Sequence, residues 1–284
     1  MSEKKKFDNS LKMMRLSLLY SGIKTNSTAF NKLIEVFVNS FLYYINMITL
    51  YTVIFGEIAW LIQGIQTGRN FSELTFVFPL ITISVLSTVK SVNLYLNREI
   101  VCEIIDTLRD IHPEEESNDT LEQNRQKRTE EKITNESVTI LNTVVNLLIG
   151  ISGLVLIMFC LTPLITMGFD YFTKGETGIL YPFVVEYWFD VHNTKLWPVL
   201  YLHQVIATVV VCTNLLASEI FFYATCAYIE MHFHILCHRF ETLQLVSSRQ
   251  LRKDLVSAVL KHQQLILFLG LKIKIDPARR FEVQ

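Results

Sequence analysis

Few side chains in this sequence are spaced for chemistry. The tightest cluster is Glu230-Met231-His232-Phe233-His234-Ile235-Leu236-Cys237-His238-Arg239, where His234 and His238 stand four apart and Cys237 three from His234. On a helix these side chains share one face, and imidazole with thiolate is zinc-ligand chemistry. No His-Glu-x-x-His motif and no second ligand cluster accompany it, so an amphipathic helix is expected there and no metal is called for. A second candidate is the acidic run Glu114-Glu115-Glu116-Ser117-Asn118-Asp119, which reads either as a cation site or as a solvated charge run. Single charges inside long apolar stretches are functional candidates by default. Here these are Glu57, Lys90 and Glu219, all toward the ends of their stretches, where snorkelling or interfacial water accounts for them. There is no P-loop, no GxGxxG and no GxSxG, so neither an enzyme nor a cofactor is expected. None of the five cysteines forms a CxxC pair, and four lie in or beside apolar blocks as small hydrophobes.

The segment 170–195 has a different character. Tyr171, Phe172, Tyr181, Phe183, Tyr187, Trp188 and Phe189 crowd together, with Glu186 and Asp190 among them and Trp197 just beyond. Aromatic rings gather at membrane–water interfaces. Alternatively the loop folds over the mouth of a helical bundle, with Tyr181, Phe183 and Trp188 as a lid on a small-molecule pocket.

The elements that must position these residues are apolar spans. Half of the 284 residues are hydrophobic and only 19% are charged; mean hydropathy is +0.32. A spanning helix needs about 20 apolar residues. Four blocks qualify, at about 36–62, 74–96, 138–169 and 196–229, the second including Lys90. Closed barrels announce themselves as alternating ten-residue segments, which are absent. The expected fold is therefore all-α, one integral membrane domain over 1–284 with the lipid bilayer as its solvent. The stretch 97–137 reads as a loop: a turn-rich crest near His112-Pro113, then a solvated helix from Glu122 running into the third span.

Lysine and arginine counts give orientation. The segments outside the four spans carry 7, 1, 6, 2 and 9 in chain order. High values alternate with low, which places both termini and the 97–137 loop in the cytoplasm. The basic residues are divided among short segments and give no argument for nucleic acid. Of the N-x-Ser/Thr triplets, Asn26, Asn118 and Asn135 fall in cytoplasmic segments. Asn70 alone faces outside and is the glycosylation candidate, although it sits close to the second span.

Three stretches carry a family resemblance. The first is Tyr181-Pro182-Phe183 to Trp188-Phe189-Asp190, with Trp197-Pro198 and Tyr201-Leu202-His203-Gln204. The second is Glu230-Met231-His232-Phe233-His234-Ile235-Leu236. The third is Leu260-Lys261-His262-Gln263-Gln264-Leu265-Ile266. With the inverted orientation, the chain resembles the insect odorant receptors over roughly 10–270, and the lepidopteran branch in particular. The resemblance implies an odorant-gated cation channel subunit in the cell membrane of olfactory sensory neurons. Such receptors have seven spans and form tetramers with a shared co-receptor, and their odorant pocket lies in the outer half of the bundle. The small hydrophobic odorant would bind through shape and apolar burial, at about 25 cal/mol per Å². On that topology the outer-half candidates are Phe76, Phe78 and Thr82 on the second span, Met158 and Leu161 on the third, and Tyr201 and Val205 on the fourth.

The four spans depart from the family's seven, and nothing after Leu271 resembles it. The expectation is a C-terminally truncated receptor without the pore-lining spans. A non-conducting four-span protein that modulates full-length subunits, and a gustatory-type receptor, are the alternatives.

Overall fold

The protein is described by a computed structural model at residues 12, 14–23, 41–111, 121–175, 178–187, 195–242, 256, 259–260 and 263, with backbone alone at 109–111, 121–127 and 242. The acidic run at 114–119, Trp188 and most of the chain beyond 242 lie outside the described residues.

Five long helices follow one another: α1 (Tyr43–Gln66), α2 (Phe71–Leu96), α3 (Arg98–Ile111), α4 (Leu121–Lys174) and α5 (Trp197–Thr242). No strand occurs among the described residues. Four of the helices are long and apolar enough to cross a membrane, within Tyr43–Gln66, Phe71–Leu96, Arg128–Lys174 and Trp197–Glu241. The all-α membrane fold expected from the sequence is thus the fold found. Lipid explains what water would not tolerate: Leu147, Ile151, Leu154, Val155, Ile165 and Phe169 are all exposed along α4. Hydroxyls inside the spans turn back on their own helices, as Thr88 donates to Ser84 O at 2.8 Å and Thr166 to Thr162 O at 2.9 Å. In hydrocarbon such a bond satisfies the hydroxyl proton within its own helix.

The chain divides into two compact units. The larger comprises 17–95 and 146–218. Here α1 ends in a tight reversal into α2. Gly68 takes φ +69°, a left-handed conformation that only glycine adopts cheaply. Its N–H reaches Ile65 O at 3.3 Å and Arg69 N–H reaches Gly64 O at 3.0 Å, the paired bonds of a Schellman cap. One apolar cluster joins Tyr43, Met47 and Leu50 of α1 to Val210 of α5, with Val92 and Tyr95 of α2 against it. Tyr43 and Tyr95 stack with centroids 3.8 Å apart. A second cluster joins Val53 of α1, Ala207 of α5, and Phe183 and Val185 of the α4–α5 connection. Contacts therefore climb α1 as they descend α5, so these helices are antiparallel within the unit.

Glu57 departs from expectation. The sequence places it near a span end with interfacial water. It is instead 1% exposed, and its Oε2 has no hydrogen-bond partner among the described residues. Of the other two span charges, Glu219 is exposed and Lys90 half-buried.

The smaller unit comprises 1–16, 96–145 and 219–284. Within the connection expected between the second and third spans, 98–111 forms helix α3. Val101, Ile104, Ile105 and Leu108 are all fully buried at helical spacing, one apolar stripe on an otherwise charged helix. The solvated helix expected from Glu122 begins at Leu121 and continues through the third span to Lys174. At the far end of α5, Met231, His232, Ile235 and Leu236 are buried while His234 and Cys237 are exposed, as an amphipathic extension requires. Arg239 holds Glu130 through both carboxylate oxygens at 2.6 and 2.7 Å. Arg15 meets Asp106 at 3.5 Å.

Candidate functional site

The larger unit contains a cavity of about 720 Å³, within the range of small-molecule pockets. Helix α1 contributes Ile48, Tyr51, Phe55 and Ala59, recurring at helical spacing along one stripe. Helix α5 contributes Val199, Leu200 and His203, and the α4–α5 connection adds Glu186 and Tyr187; Ile48, Phe55 and Val199 are themselves exposed, so the cavity is open along one side. The walls are apolar except at one end.

The connection is an extended segment whose backbone is satisfied by the helices around it. Glu186 N–H donates to Gly56 O at 3.0 Å. Phe183 N–H donates to Gln204 Oε1 at 3.2 Å, and Gln204 is buried. Trp197 Nε1–H donates to Leu180 O at 3.2 Å. Gly56 makes the first of these bonds possible, because a Cβ there would overlap Val185 Cγ1. Phe183 is a core anchor rather than a cavity wall, with its ring centroid 5.9 Å from that of Phe159.

The polar end is a directed chain of hydrogen bonds. Thr52 donates its hydroxyl proton to Thr49 O at 2.8 Å, a carbonyl that only accepts. With that proton spent, Thr52 Oγ1 accepts from His203 Nε2–H, 3.1 Å away. That assigns His203 Nδ1 as an acceptor, which takes the Tyr187 hydroxyl proton at 3.2 Å. The tautomer follows from the network. Burial pushes the Tyr187 phenol above its ordinary value of 10.0, partly offset by a hydrogen bond with Gln204, so it stays a donor at neutral pH.

The sequence-derived candidates do not converge on this cavity. Phe76 is 80% exposed, and Met158 and Leu161 are exposed as well. Phe78 and Thr82 share a separate shallow depression of about 580 Å³ with Thr75, Pro79 and Ile83. Tyr201 is buried and donates its hydroxyl to Cys160 O, tying α5 to α4 one turn before Pro163. Val205 is half-buried. Of the expected lid, Tyr181 is half-buried, Phe183 is in the core and Tyr187, beside them, faces the cavity. The α1 stripe is not among those candidates. Its signal is the alternation of apolar and small residues at 48, 51, 52, 55, 56 and 59. His203 stood in the resemblance motif without a role. Asn70 is exposed at the α1–α2 reversal. Among the described residues no three His, Cys, Asp or Glu side chains cluster as metal ligands.

No curated protein matches the chain. The insect olfactory receptor OR5 from Machilis hrabei is similar in fold, with TM-score 0.73 at 14% identity over 96% of this chain and 67% of that one. The structure of the same receptor in complex with eugenol gives TM-score 0.72 at 15% identity, over 96% and 66%. The chain thus spans about two thirds of the length of these receptors. A family model described as 7tm Odorant receptor matches residues 70–271. That is a family of receptors rather than enzymes, and this chain, a multi-pass membrane protein, belongs to the 7tm odorant receptor family.

Proposed function

We propose that this protein senses small hydrophobic odorants as a subunit of a ligand-gated cation channel, in the cell membrane of olfactory sensory neurons. The observation that carries the proposal is the cavity of about 720 Å³ with apolar walls and one polar end, in a chain of the odorant receptor family. The loop charge counts of 7, 1, 6, 2 and 9 support an orientation with both described ends inside, which turns the α4–α5 connection and its cavity outward. The eugenol complex of a receptor with the same fold supports an odorant as the occupant. Assembly with a co-receptor subunit, which the family resemblance implies, is part of the proposal.

The test is thermal unfolding of the purified chain in lipid nanodiscs against a panel of volatiles. A ligand at a hundred times its Kd stabilises the folded state by about 2.7 kcal/mol. At least one volatile is expected to raise the melting temperature of the wild type and leave Ala59→Trp, which fills the cavity, unmoved. A shift of the same size in an Ala59→Trp protein with wild-type basal melting would remove the cavity from the proposal. The channel reading is tested separately by co-expression with a co-receptor, where absence of odour-evoked current sinks it.

A further inference from the structure

We infer that the cavity selects ligands carrying one neutral hydroxyl, a phenol or an alcohol, over matched ethers and hydrocarbons, because a hydroxyl inserts between Tyr187 and His203 without stranding the imidazole Nδ1. The inference rests on the cavity being the ligand site.

The direction of the hydrogen-bond chain decides the matter. It runs from Tyr187 O–H to His203 Nδ1 (3.2 Å), from His203 Nε2–H to Thr52 Oγ1 (3.1 Å), and from Thr52 O–H to Thr49 O (2.8 Å). This direction makes all three bonds; the reverse one, with the Thr52 proton on His203 Nε2, gives up the bond to Thr49 O and leaves the Tyr187 proton off Nδ1, so the forward chain is favoured. The cavity is therefore offered a proton by Tyr187 and a lone pair by His203 Nδ1, with both residues in its lining. A ligand hydroxyl accepts the first and donates to the second, restoring two bonds for the one it breaks. An ether oxygen accepts from Tyr187 but has no proton for Nδ1, and a half-buried acceptor loses its partner. A hydrocarbon leaves the Tyr187–His203 bond closed and occupies only the apolar stripe of Ile48, Tyr51 and Phe55. Glu186 in the lining adds a negative group that disfavours carboxylate ligands.

The probes are 4-propylphenol and 4-propylanisole, which differ by one methyl on the oxygen. Binding is measured to the full chain in nanodiscs, with empty nanodiscs correcting for partition into lipid. The wild type is expected to bind the phenol about tenfold more tightly than the ether, the worth of one stranded acceptor. In His203→Phe the preference is expected to fall below twofold while the ether still binds, which also reports that the variant is folded. Thr52→Val gives an independent handle: with no acceptor at Nε2 the ring is free to carry its proton on Nδ1. The ether then gains and the preference again shrinks. Equal wild-type affinities, with both probes lost in Ala59→Trp, overturn the hydroxyl selectivity and leave the cavity as the site. A preference that survives both His203→Phe and Thr52→Val also overturns it. Failure of both probes to bind the wild type, or undiminished binding to Ala59→Trp, overturns the inference and the site together.

Discussion

Gly56 is where the α4–α5 connection meets helix α1, and replacing it with alanine isolates what that docking contributes. Two effects compete. Alanine is the better helix former by about 1 kcal/mol in a helix interior. Against that, the new Cβ would overlap Val185 Cγ1 and lie 3.0 Å from Glu186 O. Val185 is buried and β-branched, so its methyl has no free rotamer to retreat into. Overpacking of this kind costs about 1–3 kcal/mol. Displacing the segment also loosens the Glu186 N–H to Gly56 O bond, 3.0 Å long and worth about 1 kcal/mol. The net expectation is a destabilisation of about 1–3 kcal/mol for Gly56→Ala. Gly150 and Gly153 of α4 provide the opposite case. Nothing lies within 4 Å of a Cβ at either. There only the propensity gain of up to about 1 kcal/mol acts, and Gly→Ala should stabilise. Melting in detergent, followed by near-ultraviolet circular dichroism, compares the three variants. A Gly56→Ala protein that melts at or above the wild type refutes the docking argument.

Arg239→Lys should destabilise the smaller unit by about 1–2 kcal/mol, because an ammonium cannot reproduce the two-bond grip on Glu130. Faster hydrogen exchange over 130–145 reports it, and unchanged exchange refutes it. Cys237 is exposed near the end of α5. If both described ends are inside, a membrane-impermeant maleimide labels it only after permeabilisation, and labelling of intact cells that disappears in Cys237→Ser reverses the topology. Phe183→Ala should cost about 3–5 kcal/mol, since it empties a buried position packed against Val53 and Ala207. A loss under about 1 kcal/mol would show that the ring is not a core anchor.

What the sequence shows of this molecule is what local pattern controls. The four apolar blocks are visible because lipid demands about 20 residues each, whatever their neighbours. The charge alternation is visible for a similar reason. Helix α3 was also visible in principle: Val101, Ile104, Ile105 and Leu108 are spaced for one face. Its other face is charged, so in composition it resembles the solvated residues that follow it. The cavity is a different case. Its α1 stripe and His203 lie 151 positions apart across the Thr52 contact, and nothing local marks them as partners. They meet because α1 and α5 run antiparallel and an extended segment docks between them. That docking needs a glycine at 56, and in sequence this is one small residue in an apolar helix. The topological candidates Phe76, Met158 and Leu161 point out of the described unit because facing outward on a span looks the same in sequence as facing a pocket.

The docked segment also sets how a ligand should be felt. Its backbone is anchored to Gly56 and to Gln204, and Trp197 reaches Leu180 O. An extended segment without a helical ladder of its own opens more easily than the helices under it. Glu186 and Tyr187 line the cavity, so an occupant touches the segment and both helices at once. A ligand that binds only the docked form must shift the opening equilibrium by RT ln(1 + [L]/Kd), about a hundredfold at a hundred times Kd. Hydrogen exchange at 183–187 should slow by that factor when 4-propylphenol saturates the site. The amides of α2, which does not line the cavity, should be unchanged. Equal slowing in both would mean general stabilisation, and no slowing at 183–187 would mean that the ligand binds without engaging the segment.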